Sequence, residues 1–166
     1  MLIPPPSSEI APPTREEEIV SLAPHLPLSG DLLPWEAAVQ YILDSPTPPG
    51  VRAQALFGLL SRVPEEALAT TTEQATAWLR DRDYSATAAP LIKNPATHGA
   101  ILSAMFADLM ERPDSIALPT LLAIARQPSH PFASAARDNL SLLLGQNRGA
   151  DWPAWEREIR QHLAAP

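Results

Sequence analysis

Residues 117–145 read ALPTLLAIARQPSHPFASAARDNLSLLLG, and this stretch decides the fold class. Leu118, Leu121, Leu122, Ile124 and Ala125 recur at helical spacing, and so do Phe132, Ala136, Leu140, Leu143 and Leu144. Two amphipathic helices, over 118–127 and 132–144, are therefore expected to face a shared core. Pro128-Ser-His-Pro131 between them is a turn, and Gly145 stands just past a helix end, where a left-handed backbone is common. One such hairpin cannot bury its own apolar face, so neighbours must stack on it.

Weaker copies of the pattern come earlier. A helix over 31–45 carries Pro34 in its first turn and a stripe of Trp35, Ala38, Val39, Ile42 and Leu43. The next, over 51–63, places Val51, Ala55, Leu56, Leu59, Leu60 and Val63 on one face, with Arg52, Gln54, Ser61 and Arg62 largely on the other. Pro64-Glu-Glu opens a segment over 65–81, where Thr70 and Glu73 have the spacing of a second capping box and leave one helix or two short ones open. Residues 81–84 read as a surface turn, and 86–92 as a short helix or a loop. A helix over 98–111 follows, with Ile101, Leu102, Met105, Phe106 and Leu109 inward. Asp151 caps a final helix, 151–164, bearing Trp152, Trp155, Ile159 and Leu163. At the other end, Thr14 and Glu17 open a first helix closed by Pro24. Residues 1–13 form a disordered Pro-rich tail, and 14–166 a single helical repeat domain.

Composition agrees with an all-α chain. Of 166 residues, 45% are hydrophobic and 5% aromatic, and the 20 prolines would break long helices into short, punctuated ones. The formal charge is −7, and the basic residues are scattered, so the clustered Lys and Arg that bind a phosphate backbone are missing and no nucleic-acid partner is expected. The chain has no cysteine, which excludes disulfides and thiolate metal sites. No apolar run approaches the length of a transmembrane segment. The opening MLIPPPSS lacks the charged and apolar regions of a signal peptide. It would serve equally as a cytoplasmic tail or as a spacer after an export signal or lipid anchor, leaving cytoplasm and periplasm both open.

Superposed, the blocks share an order: a proline-led helix, a turn, then a helix with large, small and large residues four apart. Val51, Ala55 and Leu59 match Phe132, Ala136 and Leu140, with Ile101, Met105 and Leu109 a looser case; Pro34, Pro119 and Pro90 lead. On these residues the chain resembles the HEAT-repeat (armadillo-like) family over roughly 31–145. Val51-Arg52-x-x-Ala55-x-x-x-Leu59 stands in the place of the family's second-helix pattern, and Leu118-Pro119 in that of its first-helix opening. Ser129 replaces the aspartate often found in the inter-helix turn, and Ala133 replaces the arginine that Arg52 supplies. Gly149-Ala-Asp151-Trp152-x-x-Trp155 is similar to the closing segment of bacterial HEAT-like proteins of unknown function. The resemblance implies a short right-handed helical-hairpin solenoid of roughly eight or nine helices.

Chemical signatures are missing. His25, His98, His130 and His162 are dispersed, with no second ligand at helical spacing, and His130 reads as a capping or surface residue. Asp108 with Glu111, or Asp81 with Asp83, are ordinary surface pairs rather than acid–base machinery. There is no nucleophile elbow, phosphate loop or dinucleotide fingerprint, so neither enzyme nor cofactor is expected. Trp35 and Trp78 read as core, while Trp152 and Trp155 cover the open end of the last hairpin. The expected function is a non-enzymatic protein–protein interaction or scaffold module. Its partner face would be the polar side of the second helices: Arg52, Gln54, Asp108, Arg137, Asp138 and Asn139. The alternatives are a small hydrolase or lyase using His98 or His130 with a carboxylate in a cleft between hairpins, and a purely structural subunit of an oligomer.

Overall fold

Prolines set where the helices begin. The computed structural model describes residues 34–44 and 46–166, so the expected tail, the helix opened by Thr14, His25 and the start of the 31–45 helix lie outside the described residues. Nine α-helices are present among the described residues, and no strand. Helix α1 is described over Pro34–Asp44, and α2 (Pro49–Leu59) has Pro48 at its N-cap and Pro49 at its first position. Helix α3 (Glu65–Trp78) follows Pro64, with Glu65 and Glu66 in its first turn. A 3-10 turn (Asp81–Asp83) leads to two single-turn helices, α4 (Tyr84–Thr87) and α5 (Ala89–Ile92). Then come α6 (Gly99–Met110), α7 (Asp114–Ala125), α8 (Ala133–Leu144) and α9 (Trp152–Ala164).

Packing follows chain order with one long step. Helix α2 lies against α1 and α3, α3 against α6, α7 against α8, and α9 against α7 and, less extensively, α8. One hydrophobic cluster runs from Ala38 to Ile159 through all of these helices. The second residues of the large–small–large triplets, Ala55, Met105 and Ala136, are all fully buried. Trp155 is also fully buried, its indole Nε1 donating to the Gly149 carbonyl at 3.1 Å, and Trp35, Trp78 and Trp152 pack half-buried on the core. Gly145 has φ +76°, the left-handed helix end expected of it.

Several local expectations are corrected. The segment after Pro64 is one continuous helix to Trp78, because its threonines are interior rather than capping. Thr71, Thr72 and Thr76 are buried between α2 and α6, and the hydroxyls of Thr72 and Thr76 donate back to the carbonyls of Leu68 (2.7 Å) and Glu73 (3.0 Å). Helix α2 is buried on two sides, so Ala53 and Phe57, outside the expected stripe, also join the core. Helix α7 begins at Asp114 after Pro113, and Pro119 lies inside it rather than leading it. That proline is exposed and lacks the N–H that would have reached the Ser115 carbonyl. Leu143 and Leu163 remain partly exposed, since the sides of α8 and α9 they occupy have no neighbour among the described residues.

The largest correction concerns residues 81–84. Tyr84 is buried in the core, and Arg112 is folded over its ring with the guanidinium carbon 5.4 Å from the ring centre. Every N–H of that guanidinium has an acceptor. Nε and Nη2 hold both oxygens of Asp108 (2.9 and 3.0 Å), Nη1 reaches Asp81 (2.9 Å) and the Leu79 carbonyl (2.7 Å), and Nη2 also reaches the Thr76 carbonyl (2.8 Å). The side chain is only 9% exposed. Burial disfavours its charge, but hydrogen bonds to Asp108 and Asp81 outweigh that, and its pKa lies above the usual arginine value.

Arg112→Ala would strand Asp108 and the Leu79 carbonyl and take one of two donors from the Thr76 carbonyl. It should lower the unfolding free energy by about 3 kcal/mol in urea titrations, with Arg112→Lys, which has fewer donors, losing less. Burial pushes the Tyr84 phenol above its ordinary range, with Asp108 adding to the shift and Arg112 opposing it. The unfolded phenol ionises near pH ~10 while the folded one keeps its proton, so this group's contribution to stability is complete below about pH 10 and falls as pH rises. Comparing alkaline denaturation of the wild type with Tyr84→Phe checks this: the variant should lose that part of the pH dependence while changing stability at neutral pH by less than about 1 kcal/mol.

Candidate functional site

The six residues expected to form a partner face lie on three helices. On α2, Arg52 is half-buried with its guanidinium carbon 4.6 Å from the centre of the Trp78 ring. Gln54 is exposed and lines a depression of about 240 Å³ with Gly50, Arg80, Asp83 and Thr87. Gly50 matters here, because a Cβ at that position would stand 2.7 Å from Arg80 Nη2 and 2.8 Å from Asp83 Oδ2. Without one, the Arg80–Asp83 pair (3.2 Å) rests on the first turn of α2, whose positive end favours the carboxylate.

On α6, Asp108 gives both oxygens to Arg112 and so joins α3 to α6 rather than facing outward alone. On α8, Asn139 donates to the Ala135 carbonyl at 2.9 Å, while Arg137 is half-buried and Asp138 is exposed. Asp138 lines a shallow depression of about 450 Å³ with Ser141, Leu142, Gly145 and Asn147. Leu142 is 80% exposed, the most exposed of the large apolar side chains described. Gln54 and Asp138 therefore border different depressions. The consecutive trio on α8 is the part of the expected face that stands beside exposed apolar surface.

The histidines have specific partners. His98 caps α6, its Nδ1 accepting from the Ala100 amide at 3.1 Å, and its Nε2 lies 3.4 Å from Glu65 on open surface. His162 Nε2 lies 2.7 Å from Asp114, tying α9 to the start of α7. His130, expected as a capping or surface residue, is buried. The Phe132 amide donates to its Nδ1 at 3.0 Å, which places the ring proton on Nε2, 2.7 Å from the Ile92 carbonyl. It caps the start of α8 while locking that turn onto α5. Phe132 also stacks on Phe106 of α6, with ring centres 5.0 Å apart. Among the described residues, no group of three or more His, Cys, Asp or Glu is placed to hold a metal ion, and no helix is long and apolar enough to cross a membrane.

Sequence reading missed Arg112 and Tyr84. A signal for the first was present: Asp108 and Arg112 have the i, i+4 spacing that brings side chains together on a helix. Nothing local marks Tyr84, whose burial depends on chain arriving from α6. Between α7 and α9 lies a further groove of about 300 Å³, floored by Pro119, Leu122, Ala123 and Ile159. Arg126, Glu156 and Arg160 form its rim. The chain matches no protein-family model, no characterised protein and no solved structure.

His130→Ala would leave the Ile92 carbonyl and the Phe132 amide without their partner. It should lower the melting temperature by roughly 5 °C, read by far-UV circular dichroism.

Proposed function

We propose that the chain is a short HEAT-like helical-hairpin array acting as a protein–protein interaction or scaffold module, without catalysis. Three features support the array: the sequence resemblance, the pairwise packing of α1 with α2 and α7 with α8, and the burial of the second and third triplet members on α2, α6 and α8. The observation that carries the interaction reading is the surface of α8, where Leu142 stands 80% exposed beside Asp138 and an open depression. Exposed apolar surface rimmed by polar groups is a common mark of a protein contact.

The hydrolase or lyase alternative draws on His98 or His130 with a carboxylate in a cleft. His130 faces backbone groups, and His98 with Glu65 sits on open surface; neither lines any of the three cavities described above. The interaction reading has the stronger support.

Reversing charge at Arg137 and Asp138 together, and separately replacing Leu142 by Asp, tests the α8 surface in pull-downs from native extract. Loss of specific captured proteins, with helical content unchanged, is expected. An unchanged set of captured proteins would remove α8 from the contact surface.

A further inference from the structure

We infer that the groove between α7 and α9 is a docking site for an acidic amphipathic segment of a partner protein; this rests on the interaction reading but uses a surface separate from α8. The groove holds about 300 Å³, roughly twice the volume of a cavity known to hold a benzene ring, which gives room for two aliphatic side chains. Its floor is aliphatic, and two neighbouring helices form its walls, a geometry that receives the apolar face of a third helix.

The rim decides the sign of the occupant. Arg126 and Glu156 pair at 2.7 Å and cancel. Arg160 is exposed and has no hydrogen-bond or ion-pair partner among the described residues. The rim therefore carries one uncompensated positive charge beside apolar surface, on a chain whose formal charge is −7. A basic segment would meet Arg160 with like charge. An acidic one can bury aliphatic side chains over Leu122 and Ile159 while a carboxylate pairs with that guanidinium, bidentately where geometry allows.

The test uses the full chain and two peptides of about ten residues. One is built of leucine and glutamate with leucines at i, i+3, i+4 and i+7; the other carries lysine in place of every glutamate. Amide resonances followed by NMR during titration should show saturable shifts confined to α7 and α9 with the acidic peptide only. Arg160→Glu should weaken that binding at least about tenfold and Arg160→Lys should largely retain it. Position 160 is exposed, so both variants should melt with the wild type. The proposal is overturned by no saturable shift up to about 1 mM acidic peptide, by shifts mapping elsewhere, by equal binding of the lysine peptide, or by indifference to Arg160→Glu. Any of these alongside an α8-dependent set of captured proteins would sink the groove alone and leave the interaction reading standing. A groove that binds as expected while the α8 variants capture an unchanged set would instead move the contact surface to α7 and α9.

Discussion

Twenty residues of chain separate the end of α3 from the start of α6, and the two helices are nonetheless packed side by side. Arg112 is what closes that gap. The last carbonyls of a helix lack the partners interior ones have, and here a guanidinium that leaves the end of α6 meets the Leu79 carbonyl and adds a second donor to that of Thr76, which also accepts from the Leu79 amide. Because the same group is held by Asp108 on α6 and by Asp81 in the intervening turn, three pieces of chain are fixed by one planar fork. Tyr84, under that fork, brings α4 into the core. A lysine could supply the charge at this point but not five directed donors.

Around this junction the core is built from small residues as much as large ones. Helix α3 presents Ala67, Thr71, Thr72, Ala75 and Thr76 to neighbours on two sides, and the buried hydroxyls of Thr72 and Thr76 turn back onto their own helix. That lets backbones come close without leaving polar atoms stranded. Downstream, His130 does for the turn between α7 and α8 what Arg112 does upstream. It satisfies an amide of its own turn and a carbonyl of α5 with opposite sides of one ring. The junctions of this molecule are polar and its helix faces apolar, so each helix pair is oriented by a few directed bonds over a non-directional core.

Under the proposed binding role, the surfaces left over are what a partner would meet. Three of the four carboxylates that could have been drawn as acid–base pairs face arginines: Asp81 and Asp108 share Arg112, and Asp83 meets Arg80. What faces solvent is an exposed leucine beside an acidic depression on α8 and an aliphatic groove with an unpaired arginine on α9. The two differ in sign at their rims, which would let one chain hold two partners of opposite character.

The sequence by itself determined the helical class, the hairpin of α7 and α8, the final tryptophan-bearing helix and its Asp151 cap, and the start of α3 after Pro64. All of these follow from side-chain periodicity and from what proline and glycine do to their own backbone, which are local properties. It read Thr70 to Glu73 as a possible cap, Pro119 as a helix start, residues 81–84 as surface, and left His130 as either a capping or a surface residue. Only the tertiary structure decided these, because each depends on what arrives from elsewhere: α2 and α6 over the threonines, Pro113 as the earlier start for α7, Arg112 over Tyr84, and the Ile92 carbonyl beside His130. Of the six expected site residues, Asp108 was drawn into that same junction, and Arg52 lies over Trp78. A polar residue on a helix face looks the same in sequence whether its partner is solvent or a helix thirty residues away, and burial is settled by the second.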